Sequence, residues 1–345
     1  YYYIIIIIII IIIIIMEILC SDCIGAVRLG ALPGSGWDNL RNNLQIRVIA
    51  VNFSECETTE DGVLQLPSGI QVIPVKNSKV DMSSTIIENM EDYKSVDSVS
   101  VNLNLKLPEG HFSFSTDYQK TKEKMRKQRA MVSRSQLWFH RYTAITSPSI
   151  DLDPKFKNRL MDIAYSVQEG DMAIARYNAE RLVADYGTHY IDRVDIGGIL
   201  VQEDMVRSEY VKDMDNKKLD IAVTAGASFL DKYGFDLGTK YTHSTEALNE
   251  YRRNCTESSV ITYGGEPYRE DFSINSWIDS LNKNLVVIDR DGDLISALIS
   301  PEHFPGIPFK LIQETSQTIQ KAIKDYYKYN THYGCSDMDS PNFEF

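Results

Sequence analysis

The chain predicts an α+β fold built round a long strand with a built-in bend, fed by a helix. Three observations carry this. The run from Ile191 to Val206 reads as strand and holds Gly197-Gly198 near its middle, and glycines inside a strand mark a bend, a bulge or a close backbone approach. Two amphipathic helical patterns lead into it across 153–186 and stop at Gly187. Residues 219–241 alternate with period two, the pattern of strands with two unlike faces.

Taken in order, residues 1–15 are three tyrosines and twelve isoleucines. That tract is short for a spanning helix and has neither the basic start nor the cleavage site of a signal peptide. An AT-rich triplet repeat encodes both residue types, so 1–16 is read as a gene-model artefact. Trp37 to Val75 gives short β-like pieces broken by Gly, Pro and Asn. Ser98 to Leu107 sets Val99, Val101, Leu103, Leu105 and Leu107 on one face, a half-buried strand closed by Pro108-Glu109-Gly110. Lys120 to Arg134 then carries seven basic residues and one acid, and Val132 to Ile145 reads as another strand.

Asp153-Pro154 is a helix start, with an N-cap and a proline in the first turn. Phe156, Leu160, Ile163, Ala164 and Val167 follow at helical spacing up to Gly170. Asp171 caps a second helix carrying Ile174, Tyr177, Arg181, Leu182 and Tyr186, and Gly187 stands where a left-handed glycine closes a helix. After the long strand, Ser259–Tyr263 is a strand ending at Gly264-Gly265, and Phe272–Asn282 is a helix. Asp289-Arg290-Asp291-Gly292-Asp293 lacks the acid spacing of a calcium loop and reads as a hairpin turn with Asp-Gly at its tip. Lys310–Tyr329 is an amphipathic helix with Leu311, Thr315, Ile319, Ala322, Ile323 and Tyr326 inward.

The chain has 345 residues, and its net charge of −12 argues against a general nucleic-acid binder. It has no P-loop, no GxSxG elbow and no HExxH pair, and its six histidines are scattered. No catalytic residue, metal site, cofactor or small-molecule substrate is therefore expected, and the protein is read as not an enzyme. Cys20 and Cys23 have CxxC spacing without the second pair of a zinc site. Sequons at Asn52 and Asn254, with five cysteines, favour an oxidising, lumenal or secreted setting.

The alternation in 219–241 is the informative feature. Leu219, Ile221, Val223, Ala225, Ala227 and Phe229 share one face. A turn at Leu230-Asp231-Lys232 pairs Phe229 with Tyr233 and places Tyr233, Phe235, Leu237 and Tyr241 on the same face. Arms of this length suit a tilted membrane-spanning strand, which needs ~9–11 residues. Such a hairpin meets lipid on one face and water on the other. Its edges need pairing neighbours, hence a closed ring of subunits. An amphipathic hairpin packed on a soluble core is the alternative, and a helix is also conceivable because Ala222, Val223, Gly226 and Ala227 are small. A second such segment is expected at 108–135, where Phe112, Phe114, Thr116 and Tyr118 alternate with polar residues and the basic cluster near the tip is drawn to anionic lipid. A solvated basic helix is the alternative there.

Tyr186-Gly187-Thr188-His189-Tyr190, six residues, then Gly197-Gly198 resembles the signature of the membrane-attack-complex/perforin (MACPF) family. Leu32–Asn42, Cys56–Gly62, Ile288-Asp289-Arg290 and Gly334–Phe343 are similar to the perforin-2 branch. The resemblance implies a MACPF/cholesterol-dependent-cytolysin-like fold: a bent central four-stranded antiparallel sheet flanked by helical clusters that become transmembrane β-hairpins. It implies a pore-forming domain over 17–334, with 335–345 opening a further extracellular module. By analogy Cys23 pairs with Cys56, with Cys20 as the rival partner, and Cys335 pairs beyond 345. The implied function is a lytic immune effector that forms a homo-oligomeric ring on anionic lipid membranes and kills engulfed bacteria. Its setting is the secretory pathway, lumenal in phagosomal or endosomal vesicles, or secreted. The alternative is a non-lytic adhesion or signalling module on the same fold. Gly197 and Gly198 are expected to serve opening rather than folding, and His111 and His243 to make opening sensitive to acid.

Overall fold

The strand around Gly197-Gly198 runs from His189 to Arg207 and lies antiparallel to one from Ala130 to Thr146. The computed structural model describes residues 25–41, 43–75, 80–88, 92, 116–212, 218–234, 243–269 and 271–331. Its elements in order are β1 (Val27–Arg28), β2 (Ser35–Asp38), β3 (Asn43–Arg47), β4 (Glu57–Thr58), β5 (Leu64–Leu66), β6 (Ile70–Pro74), β7 (Val80–Ile87), α1 (Thr116–Gln128), β8 (Ala130–Thr146), α2 (Pro154–Gln168), α3 (Met172–Tyr186), β9 (His189–Arg207), α4 (Ser208–Lys212), α5 (Lys218–Tyr233), α6 (Thr245–Asn254), β10 (Cys255–Tyr263), α7 (Ile274–Ser280), β11 (Val286–Leu294) and α8 (Phe309–Thr331). Short 3-10 turns lie at Leu281–Lys283 and Ile295–Leu298.

Strands β8 and β9 form the spine, in register from Ala130 opposite Arg207 to Ile145 opposite Arg193. Each outer flank is built from two short strands. Along β8, β7 pairs with Val132–Phe139 and β6 with Tyr142–Thr146. Along β9, β10 pairs with Ile199–Val206 and β11 with His189–Gly197. The central sheet is thus four strands wide above and below one level, and β2 and β3 extend it to eight strands. A small separate sheet joins β1, β5 and β4.

The main core lies below that level. Phe156, Leu160 and Ile163 of α2, Ala179 and Leu182 of α3, and Ile319 and Ile323 of α8 pack with Tyr142, Ala144, Val194 and Ile196 of the spine. Each large apolar side chain so buried contributes ~1.5–3 kcal/mol. The caps are those the sequence predicts. The Asp153 carboxylate accepts from the amides of Lys155 and Phe156, and that of Asp171 accepts from Ile174. Gly170 and Gly187 close their helices at φ 77° and 86°.

One expectation is corrected and one is extended. Asp289–Asp293 is no hairpin turn: β11 runs unbroken from Val286 to Leu294 along β9. Gly292 marks a bulge after Asp291, where a side chain would overlap the carbonyl of Tyr190. The close approach of that carbonyl, not a chain reversal, requires the glycine. In α8 the buried stripe uses Ile312 and Tyr327 with Thr315, Ile319, Ala322 and Ile323. Leu311 and Tyr326 sit at its rim, where the Tyr326 hydroxyl donates to Asp38 Oδ2 at 2.6 Å. The strand expected at 98–107 lies outside the described residues.

Candidate functional site

Several features of the sheet share one level. Between His140 and Tyr142 the β8–β9 register slips by one, so Arg141 is a bulged residue, and bulges bend a strand and increase its twist. There β6 gives way to β7 on one flank, and β11 to β10 on the other. Gly197 and Gly198 lie at the crossing. A side chain on Gly197 would overlap the carbonyl oxygen of Phe139, which is backbone and cannot yield. Gly197 is therefore required for the sheet to form, contrary to the expectation that both glycines serve only opening.

Gly198 meets a different neighbour. The excursion between β10 and β11 folds over it, and a side chain there would overlap Leu281 and come within 3.0 Å of Trp277 Cζ2. Both residues are buried in a cluster with Met82, Leu137 and Leu200 of the sheet and Phe229 and Leu230 of α5. Gly264 and Gly265, at φ 77° and 63°, turn the chain into the excursion. The Trp277 indole donates to the Gly264 carbonyl at 3.0 Å, and the Arg141 guanidinium hydrogen-bonds Asn282. This excursion is a latch over the bend. The sequence marks it with Gly264-Gly265 and Trp277, whose meaning appears only once Gly198 is seen beneath them.

The residues read as a hairpin at 219–233 form helix α5 here, as the resemblance implies for a soluble form and contrary to their alternation. Ile221, Ala225 and Phe229 explain both readings. They recur every four residues, so they make one stripe on a helix, and they also lie on one face of a strand. In the helix, Ile221 and Ala225 pack with Ile86, Met131, Val206 and Tyr251, and Phe229 packs on Leu200 and Leu137. Val223 is half-buried, Ala227 buried, and Leu219 76% exposed. Phe229 and Tyr233 do meet, as helix neighbours with ring centroids 5.1 Å apart. From there, Tyr233, Phe272 and Trp277 continue an aromatic chain to the latch, at 5.7 and 6.5 Å. Phe235, Leu237 and Tyr241 lie outside the described residues.

Helix α1 packs on the opposite face of the same sheet half, through Met125 on Ile87, Ala130, Val132 and Met205. Thr116 and Tyr118 fall in this helix, so they are not in a strand here; Phe112, Phe114 and His111 lie outside the described residues. Lys124 and Gln128 reach Glu257 on β10, at 2.6 and 2.8 Å. Arg134 does not belong to the exposed basic cluster. It is 4% exposed and pairs with Glu203 at 2.9 Å across β8 and β9.

The signature corner is structural. Tyr186 packs edge-on against Phe156 at 4.9 Å. The Thr188 amide donates to the Trp37 carbonyl at 3.0 Å, and Thr188 Oγ1 accepts from the Asn39 amide at 3.1 Å and lies 2.7 Å from His189 Nδ1. Burial drives the His189 pKa down to about 3, so its ring is neutral, and drives Tyr190 up to about 12. Here β2, β9 and α8 meet. His243 is half-buried just before α6. Asn52 is exposed in the loop before β4, and Asn254 ends α6 with its amide donating to the Glu250 carbonyl at 3.0 Å. Cys56 is half-buried, and Cys23 lies outside the described residues.

A model of the MAC/Perforin domain matches residues 27–336. Among solved structures, GNIP1Aa from Chromobacterium piscinae aligns with a TM-score of 0.54 and 17% identity, over 88% of this chain and 57% of its own. A protein with a MAC/Perforin domain from Bacteroides thetaiotaomicron gives 0.46 and 15%, over 84% and 60%. Astrotactin-2, a vertebrate perforin-like membrane protein involved in neuronal development, gives 0.42 and 15%, over 88% and 46%. The chain thus spans less than two thirds of each of these proteins, and the likeness to the first is one of fold.

Proposed function

The chain belongs to the MAC/Perforin domain family, whose members include pore-formers that oligomerise and act on membranes, and from that premise we propose that it is a lytic immune effector of the perforin-2 kind. Monomers gather into a ring on an anionic membrane. The latch of Trp277 and Leu281 leaves Gly198, the sheet opens at that level, and the segments now held as α1 and α5 insert as β-hairpins. Target membranes are those of engulfed bacteria, reached through the secretory pathway in phagosomal or endosomal vesicles or by secretion. Its branch within the family rests on Leu32–Asn42, Cys56–Gly62 and Gly334–Phe343, which resemble macrophage-expressed gene 1 protein.

One observation carries the mechanism. Segment 219–229 satisfies helical and strand periodicity with the same residues, and as a helix it lies beside the latch over the bend. A helix meant only for a soluble core has no reason to alternate with period two. Dye release from anionic liposomes by the full-length protein tests the reading. Release that increases with ring formation, seen by electron microscopy, supports it. Rings or monomers that bind without release identify a non-lytic module on the same fold.

A further inference from the structure

The sheet is gripped at its bend from a second place. Arg141, the bulged residue of β8, has its carbonyl accepting from the Val75 amide at 2.9 Å, just past the end of β6. Its guanidinium has two partners. One nitrogen donates to the Asn282 side chain of the latch, and another lies 3.6 Å from Asp61 Oδ2. The next residue, Tyr142, donates its hydroxyl to the same Asp61 oxygen at 2.6 Å. Asp61 belongs neither to β8 nor to the latch. It stands in the turn between β4 and β5 of the small separate sheet.

That turn is built to present a carboxylate. The Gly62 amide donates to the Thr59 carbonyl at 2.8 Å and closes it. Asp61 Oδ1 is used within the turn, accepting from Thr59 Oγ1 at 2.6 Å and from the Val63 amide at 3.2 Å. The buried Thr59 is itself fixed, because its Oγ1 accepts from the Leu64 amide at 3.1 Å. Oδ2 is what meets Tyr142 and Arg141. Burial raises the Asp61 pKa, but the bonds from Thr59, Tyr142 and Val63, with the charge of Arg141, outweigh it and hold the carboxyl below its usual range. Burial, and then Asp61, push the Tyr142 phenol up. An isolated exposed ion pair contributes little. Here a carboxylate oriented by its own turn also takes a bond from a buried phenol, and hydrogen bonds to ionised acceptors are the strong ones.

The two grips act on one face of the sheet. Ile196 and Leu200 are four residues apart on β9 and so share a face. Ile196 packs in the lower core with Tyr142 and with Leu64 and Leu66 of β5, and Leu200 packs with Trp277 and Leu281 of the latch. Arg141 stands between these clusters and holds a partner from each side. Asn282 and Asp61 orient one planar guanidinium, so each removes freedom that the other would otherwise have to remove. A bulge bends its strand, and a change of bend at this residue shifts it against both partners at once. We propose that the Thr59–Gly62 turn is a second clasp on the bend, and that Arg141 couples it to the latch, so that loosening either one loosens the other. The part played by the clasp in opening rests on the pore-forming reading; the coupling does not.

Hydrogen exchange in the soluble full-length protein tests the coupling. Asp61→Ala should speed amide exchange severalfold within 59–66 and also in the latch at 274–284, while α2 and α3 exchange as in wild type. Tyr142→Phe keeps the ring in the core and removes only the hydroxyl. It should speed the turn and affect the latch less, since Asp61 still faces Arg141. With Arg141→Met as the background, Asp61→Ala should no longer change the latch. Latch exchange unaltered by Asp61→Ala, or altered equally without Arg141, overturns the coupling. So does faster exchange throughout the chain, which is general loss of stability and not a link between two places.

Dye release from anionic vesicles then separates the clasp from the pore. Asp61→Ala and Asn282→Ala should each release dye faster than wild type. Because both act through Arg141, the double variant should fall short of the product of the two single accelerations. Release at the wild-type rate by all three variants overturns the clasp as a restraint, and the pore-forming reading stands. No release by the wild type, with the exchange link intact, overturns the pore-forming reading and leaves the coupling.

Discussion

Leu281 fills the space that a side chain on Gly198 would need. The two residues are far apart in sequence, and each makes the other's position possible. Gly198→Ala should fold with the latch displaced, at a cost of ~1–3 kcal/mol for overpacking, and should lyse vesicles faster than wild type. Gly197→Ala should fail to give folded protein, because its obstacle is the Phe139 carbonyl. Thermal melts and dye-release rates check both. A Gly198→Ala protein with wild-type melting and lysis would show that the latch does not restrain opening.

Val223 and Asp220 separate strand from helix insertion. Val223 is half-buried and Asp220 exposed in the soluble fold, so both accept arginine with little cost to folding. Thr224, the adjacent lumen-side position, is 4% exposed and unsuited to this test. In the proposed inserted strand Val223 would face lipid, where arginine costs ~2–4 kcal/mol per subunit near the midplane. Val223→Arg should abolish dye release, and Asp220→Arg should keep it while altering ion selectivity. Equal lysis by the two folded variants would rule out the alternation.

Asp192 sets the acid response of the lower sheet. Burial first, and then the charges of Asp293 and Asp291, hold its carboxyl at about 6, above the ~3.9 of an unfolded carboxyl. The folded state therefore binds this proton more tightly. Its stability rises as pH falls through 6 and levels off below the unfolded value. Asp192→Asn should raise the melting temperature at neutral pH and leave it nearly unchanged at about pH 4. Protonation of Asp192 thus tightens this end of the sheet. A melting temperature unaltered at neutral pH would remove this role.

Lys124 and Glu257 fasten α1 to β10. Their side chains are 41% and 43% exposed, so the pair contributes at most ~1 kcal/mol and is weakened by salt. Glu257→Gln should barely shift the melting temperature. It should quicken vesicle lysis at low ionic strength and lose that advantage at high salt. A rate that matches wild type at all salt concentrations would show that this contact does not hold α1 in place.

The spine and the helices beneath it were legible from local chemistry. β8, β9 and α2 announce themselves through period and caps, and Gly187 and Gly197 through backbone needs; α3 is announced by its caps, while its buried face uses Ala175, Ala179 and Val183 with Leu182 and Tyr186 and leaves Ile174 and Tyr177 exposed. Helix α5 was not, because Ile221, Ala225 and Phe229 satisfy two periods and only packing on Leu200 and Val206 chooses between them. β11 was misread because Asp291-Gly292 serves a bulge as well as a turn. The latch was invisible because it is defined by Gly198 and Leu281 together, and no local pattern joins residues so far apart in the chain.

Ile221, Ala225 and Phe229 are bound by two sets of requirements at once, and this limits what can replace them. A larger residue at Ala225 would suit lipid and wreck the seat of the helix on β8. A polar one would loosen the helix and, in the proposed insertion, be refused by the bilayer. In the proposed pore Leu219 and Val223 would answer mainly to lipid, and Ala222, Thr224 and Ser228 to the helix seat and to water. Mutational tolerance along this stretch should therefore vary with a period of four, lowest where both demands coincide. The same pattern would survive in the genetic record of the segment, as slow positions spaced one helical turn apart within a sequence that otherwise reads as strand.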